Sequence, residues 1–260
     1  MILQDLHTHT VYCDGKNTPE EMVLAAIEKG MARIGFSGHG YTDFDTIYCM
    51  SEDGVRKYCA EIACLKEKYK GQIEILCGVE QDYYATASTA PFDYVIGSVH
   101  YVKVGDTYLP VDESEQTLLE SVNTYFGGDI YAFAEQYFST VGDVLARTNA
   151  DIIGHFDLLS KFNEGGKMFD ETHPRYVAAY VSAIDRLLPY GKPFEVNTGA
   201  ISRGYRTHPY PSTAMLEYIA AKGGSVILGG DSHSKETLCY QFERWYKECQ
   251  RIGVPVVWEL

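Results

Sequence analysis

Short apolar runs alternate along this chain with longer stretches of helical periodicity. Residues 2–6, 33–37, 73–79, 94–99, 151–154, 193–197 and 225–228 each read as a short buried strand. Thr18, Pro19 and Glu21 form a helix start, with Met22, Val23, Ala26 and Ile27 on one face and Gly30 as the stop. Ser51 opens a second helix striped by Val55, Tyr58, Cys59, Ile62, Leu65 and Tyr69. Residues 102–111 suggest a hairpin or extended loop, and Leu118, Leu119, Val122 and Tyr125 a further helix. Asp129 caps another, whose buried face is expected to run from Ile130 to Leu145. Later helices are expected at residues 176–188, at 212–222, and along Leu238, Phe242, Trp245 and Cys249, with residues 198–211 as a loop and 254–258 as a last strand-like segment.

Seven strands separated by helices imply a mostly parallel sheet, and their continuous apolar character suits closure into a barrel. The expectation is an α/β fold, a distorted seven-stranded (β/α) barrel formed by residues 1–260 as one domain. No apolar run reaches membrane-span length, and the N-terminus does not read as a signal peptide. Seven cysteines, an odd number with no C-x-x-C pair, point to reduced thiols in a cytoplasm. A net charge of −14 disfavours nucleic acid and anionic membranes as partners. It leaves room for a small anionic substrate if bound cations reverse the local sign.

The chemistry lies at the strand ends. His7 and His9 alternate with Thr8, so both face one side of an extended strand. One H-x-H pair is a weak signal, but His39, Glu80, His100, His155 and the pair Asp231 and His233 each follow a later apolar run. A barrel gathers all of these at one mouth. Six imidazoles with carboxylates exceed the needs of one ion, so two or three divalent ions are expected, with Glu80 bridging. Mixed His and carboxylate donors suit Zn, Fe or Mn. Asp14 is either a turn residue before Gly15 or a further ligand. His173 and His208 each precede proline and fit turn chemistry, so both stay outside the metal set, with His208 left open as a residue facing the substrate. Cys13, beside the histidine pair, reads as a buried structural thiol.

Such a cluster suits hydrolysis, because metal ions acidify bound water and clamp phosphoryl oxygens. Arg203 and Arg206, in the loop after the sixth strand, read as phosphate-binding or as solvated loop charge; Lys161 reads as a solvated lysine.

The segments Asp5-Leu6-His7-Thr8-His9-Thr10, Ser37-Gly38-His39, Gly78-Val79-Glu80, Gly97-Ser98-Val99-His100, Gly154-His155-Phe156-Asp157 and Gly230-Asp231-Ser232-His233 resemble the motifs of the PHP (polymerase and histidinol phosphatase) superfamily. Tyr48-Cys49-Met50, Glu80-Gln81-Asp82-Tyr83 and Phe194-Glu195-Val196-Asn197-Thr198-Gly199 resemble its bacterial monofunctional histidinol-phosphatases. The resemblance implies a trinuclear centre: His7, His9, Glu80 and Asp231 for one ion; Glu80, His100 and His155 for a second; His39 and His233 for a third, with Asp14 where some relatives have His. Gly38 departs from relatives that place Asp before this His. The implied reaction is hydrolysis of L-histidinol phosphate, with Arg203 bearing the developing charge and Asp231 or His233 moving a proton. Arg206, Asp43, Asp45, Tyr48 and Tyr83 are candidates for meeting the substrate. Another small phosphate ester or a nucleotide on the same scaffold, and a non-catalytic metal-binding domain, are the competing readings.

Overall fold

The computed structural model describes residues 2–260. In chain order the elements are β1 (Gln4–Asp5), α1 (Pro19–Glu28), β2 (Arg33–Phe36), α2 (Glu52–Lys68), β3 (Glu74–Asp82), β4 (Tyr94–Ser98), β5 (Tyr101–Val104) and β6 (Thr107–Pro110). There follow α3 (Glu115–Phe126), α4 (Ile130–Val141), α5 (Val144–Thr148), β7 (Ile152–Ile153), α6 (Pro174–Leu187), β8 (Phe194–Asn197), α7 (Gly199–Ser202), α8 (Thr213–Ala221), β9 (Val226–Gly229) and α9 (Phe242–Ile252).

Seven strands form one sheet in the order β1-β2-β3-β4-β7-β8-β9, every neighbouring pair parallel. Just past the ends of β1 and β9, Thr8 bridges Ser232 in parallel register. His9 N donates to Ser232 O at 2.9 Å and Ser232 N to His7 O at 3.0 Å, which draws the two edges together beside the histidine pair. The result is a near-closed barrel, as expected from the sequence. β5 and β6 form a separate antiparallel hairpin over its mouth.

Side-chain alternation divides the core in two. Leu6, Tyr94, Ile96, Ile152 and Ile227 pack inside the barrel, while a larger apolar shell joins the outer strand faces to the helices. Tyr94 crosses the interior, and its hydroxyl donates to the carbonyls of Leu6 and Phe36. Its ring passes over Gly78, where an added Cβ would lie 2.3 Å from ring carbons.

The elements form for local reasons. Thr18 and Glu21 cap α1 reciprocally, Ser51 and Ser114 accept from the first turns of α2 and α3, and Asp129 accepts from Tyr131 N and Ala132 N at the start of α4. Three expectations are corrected. The helix from Ile130 ends at Val141, and Leu145 belongs to α5; at Gly142 the backbone lies so close to α6 that an added Cβ would meet Ala183 Cα at 3.1 Å. Leu238 is buried ahead of α9 rather than within it. Residues 254–258 make a single bridge, Val226 to Val256, and no extended strand.

Gly78→Ala forces a methyl into the Tyr94 ring, and overpacking of this kind costs roughly 1–3 kcal/mol. A denaturant titration should show that loss, and combining it with Tyr94→Leu should recover part of it. A fully stable Gly78→Ala would mean that the barrel interior has room to spare.

Candidate metal centre

Glu80 sits near the end of β3 with 1% of its surface exposed. Imidazoles approach it from several strand ends. His155 Nε2 lies 2.7 Å and His100 Nε2 3.3 Å from Oε1; His39 Nδ1 lies 2.9 Å, His7 Nε2 3.3 Å and His9 Nε2 3.6 Å from Oε2. Asp231 Oδ1 is 3.3 Å from His9 Nε2 and 3.9 Å from His7 Nε2. Asp14 Oδ2 is 3.0 Å from His233 Nε2 and 3.7 Å from His39 Nε2, and its Oδ1 is 3.3 Å from His9 Nδ1. All nine residues expected as ligands from the sequence therefore converge. Three groupings have donor atoms mutually close enough for one ion: His7, His9 and Glu80; His39, Glu80 and His100; and His9, Asp14, His39 and His233.

The rings are oriented from behind. His7 Nδ1 meets Glu195 Oε1 at 2.6 Å, and Glu195 Oε2 accepts from His155 N and Asn197 Nδ2 at 2.9 Å each. His100 Nδ1 lies 3.2 Å from Asp82 Oδ2. Asp5 accepts from the backbone N–H groups of His7, Gly230 and Cys239. Carboxylates of this kind fix the tautomer of a metal-binding imidazole and raise its basicity. They were not among the residues picked from the sequence. A signal was present: Asp82 lies two residues after Glu80 on β3, so the two share a face. Glu195 could not be told from a solvated strand residue, because its partners are 188 and 40 positions away.

The donor set fits divalent cations. His7 Nε2 and His9 Nε2 are buried and make no hydrogen bond, although the other nitrogen of each ring is engaged. Leaving such atoms unsatisfied costs about 1–3 kcal/mol each, which a cation at that point removes. The field has the matching sign. Burial opposes a charged His7, but Glu195, Glu80 and Asp231 raise its pKa well above the ordinary imidazole value. Burial also opposes ionised Glu80, yet His39, His7 and His100 hold its carboxyl well below the usual range. Asp231 is held low in the same way, against burial, by Arg203 and His7. A cation bound here would take the place of the protons on the imidazoles among these ionised carboxylates, so its binding would release protons.

Beside the centre opens a cavity of about 390 Å³, walled by Asp14, His39 and His100 on the ligand side and by Asp45, Tyr48 and Asp112 among others beyond. Arg203 reaches the centre: its two terminal nitrogens donate to Asp231 Oδ2 and Asp231 O at 2.9 Å, and one of them meets His233 Nδ1 at 3.0 Å. Other residues proposed to meet the substrate do not line this cavity. Arg206 is turned away, donating to Ser160 O and, at 3.2 Å, to Glu171 Oε1. Tyr83 donates to Asp143 Oδ2 at 3.0 Å, and Asp43 is exposed. Lys161, read as solvated, instead donates to Asp112 O at 2.7 Å and Asp112 Oδ2 at 3.1 Å. At Gly38 an added Cβ would lie 3.0 Å from Cys13 Sγ, so the thiol fills the space a side chain there would need.

The family model of the PHP domain matches residues 5–199, three quarters of the chain and most of the ligand set. The chain belongs to the PHP domain family. Among relatives, the histidinol-phosphatase of Bacillus subtilis is 27% identical over 270 aligned positions that cover 95% of this chain and 99% of that protein. The histidinol-phosphatase of Lactococcus lactis is 25% identical, covering 88% of this chain and 83% of the relative. A crystal structure of histidinol phosphate phosphatase from L. lactis, complexed with zinc, L-histidinol and phosphate, superposes with a TM-score of 0.74 at 22% identity over 98% of this chain and 95% of that one. A Listeria monocytogenes structure reaches 0.81 at 18% identity, covering 93% of this chain and 99% of the other. At these identities the two structures bear on the fold alone. No helix among the described residues is long and apolar enough to cross a membrane.

Glu195→Gln should weaken metal binding about 10- to 100-fold with the fold intact, as loss of an orienting carboxylate does. Metal titration into the stripped protein checks this; unaltered affinity would mean that His7 needs no support from behind.

Proposed function

We propose that this PHP-domain chain hydrolyses a small phosphomonoester, L-histidinol phosphate, using two or three divalent ions. The observation that carries the reading is the convergence of nine metal donors, six of them buried, beside a cavity sized for a small molecule. The relatives' activity supports the substrate.

His7, His9, Glu80 and Asp231 would hold one ion, Glu80, His100 and His155 a second, and Asp14, His39 and His233 a third; zinc, iron and manganese all suit these donors. Bound there, the ions supply Lewis-acid polarisation of the phosphoryl group and water acidic enough to attack near neutral pH. The chain's own residues do the rest. Arg203 still has N–H groups to spare after bonding Asp231, and it presents them to the phosphoryl oxygens as charge builds. Asp231 Oδ1 faces His7 and His9 and its Oδ2 accepts from Arg203, which places this carboxylate where a proton would pass from the attacking water to the departing alkoxide. His233 Nδ1 lies 3.0 Å from Asp231 O, so with Nε2 turned to the ion site it donates to the same carbonyl that Arg203 holds.

The far wall of the cavity reads the rest of the substrate. Asp45 accepts from Ile47 N at 3.2 Å and Tyr101 OH at 2.8 Å, both neutral donors, so its charge is left for the substrate's ammonium. Tyr48 stands edge-on to His39 with centroids 4.8 Å apart and offers an aromatic surface to the imidazole. The chain's net charge of −14 and the three carboxylates Asp45, Asp112 and Glu113 in this wall speak against long nucleic acid as the substrate.

Phosphate release from L-histidinol phosphate should exceed that from sugar phosphates, nucleotides and p-nitrophenyl phosphate, and chelation should abolish it. Asp45→Asn should raise KM for L-histidinol phosphate roughly 10-fold, the scale of a lost charge-assisted hydrogen bond, and leave p-nitrophenyl phosphate unaffected. Equal effects on both esters would remove Asp45 from substrate recognition, and broad activity on the panel would keep the phosphoesterase but discard L-histidinol phosphate.

A further inference from the structure

Arg203 and Arg206 stand three positions apart in one loop yet point to opposite sides. Arg203 closes α7, and Gly204, at φ 77°, reverses the chain immediately after it. Tyr205 N and Arg206 N then both donate back to Ala200 O, at 2.9 and 3.3 Å. The reversal sends Arg203 toward Asp231 and Arg206 into the protein, where 9% of it remains exposed.

What Arg206 meets there is the segment following His155. Its guanidinium donates to Ser160 O, in the turn just after that ligand, and to Glu171 Oε1. Glu171 Oε1 also accepts from Asn163 Nδ2 at 2.9 Å, and Asn163 Oδ1 accepts from Met168 N at 2.9 Å and Phe169 N at 3.0 Å. The loop's far end is tied down as well: Asn197 N donates to Tyr210 O at 2.7 Å and Tyr210 N to Asn197 O at 3.1 Å. Arg206 therefore braces the loop bearing Arg203 against the loop bearing His155. A guanidinium is buried at this cost only when its partners are fixed, and removing it strands the carboxylate it paired.

We propose that Arg206 is a positioning residue: it sets the loop so that the Arg203 guanidinium meets Asp231 and the substrate phosphate. The proposal rests on the phosphoesterase reading of the centre. A displacement of about 1 Å at a group that orients substrate costs on the order of 100-fold in rate, so Arg206 should influence catalysis while touching neither metal ligands nor substrate.

A double-mutant cycle tests this with the metal-loaded full chain. Arg203→Met, Arg206→Met and the double variant are compared with the unaltered protein for kcat and KM on L-histidinol phosphate, inhibition by inorganic phosphate, and metal content. The expected result is that Arg206→Met keeps its metal, loses at least about 10-fold in kcat/KM, and is inhibited less by phosphate, as Arg203→Met is. On the Arg203→Met background the same substitution should add less than about 2-fold, and Arg206→Lys should recover part of the loss. A full independent factor on that background, or normal kinetics for Arg206→Met, overturns the proposal. If Arg206→Met is insoluble, Arg206→Lys and Glu171→Gln replace it in the cycle under the same criterion. A metal-loaded chain that hydrolyses neither L-histidinol phosphate nor p-nitrophenyl phosphate refutes the phosphoesterase reading instead; inorganic phosphate titrated calorimetrically into the four proteins then decides Arg206 by the same non-additivity.

Discussion

A carboxylate buried among imidazoles is the constraint on which this structure turns. Glu80 is almost fully enclosed and stays ionised because imidazoles from four neighbouring strand ends face it. Burying one charge without partners would cost several kcal/mol, so the barrel mouth must supply positive charge. Protons on the imidazoles can do this in part, and divalent cations do it better, because the same field contains Asp231, Asp14 and Glu195. Barrel, ligand set and cation affinity are thus aspects of one electrostatic requirement.

The barrel meets this requirement through the two-residue period of its strands. One face of β3 carries Glu80 and Asp82, and β8 carries Glu195 and Asn197 in the same relation. Each first carboxylate works at the centre or just behind it, and each second residue supports a neighbour. Space is allotted just as tightly. A Cβ at Gly229 would fall 1.9 Å from Glu195 Oε1, so only glycine lets β9 pass the carboxylate that orients His7. The barrel's other end is filled by the apolar set around Tyr94, which separates the polar mouth from the base.

Legibility in the sequence followed the range of the interactions. The seven strands and the ligands at their ends could be read because periodicity and capping are local, and because a barrel gathers the ends of all its strands. Glu195 escaped because its meaning depends on His7, at the other end of the chain. Arg206 was misplaced because the reversal at Gly204 decides which way each arginine points, and composition does not encode that direction. The break between α4 and α5 was missed for a similar reason: apolar periodicity continues through Gly142, and what ends the helix is its close approach to α6. At Gly38 the structure shows Cys13 in the space that a side chain there would occupy.

Glu80 belongs to two of the ligand groupings and would hold two adjacent metal ions at the barrel mouth. Anomalous diffraction from crystals of the metal-loaded protein, collected across the zinc, iron and manganese edges, tests it most directly. The account predicts separate peaks on the two sides of the Glu80 carboxylate, one within reach of His7, His9 and Asp231 and the other within reach of His100 and His155. A single peak, or ions that leave Glu80 unbound, would contradict it.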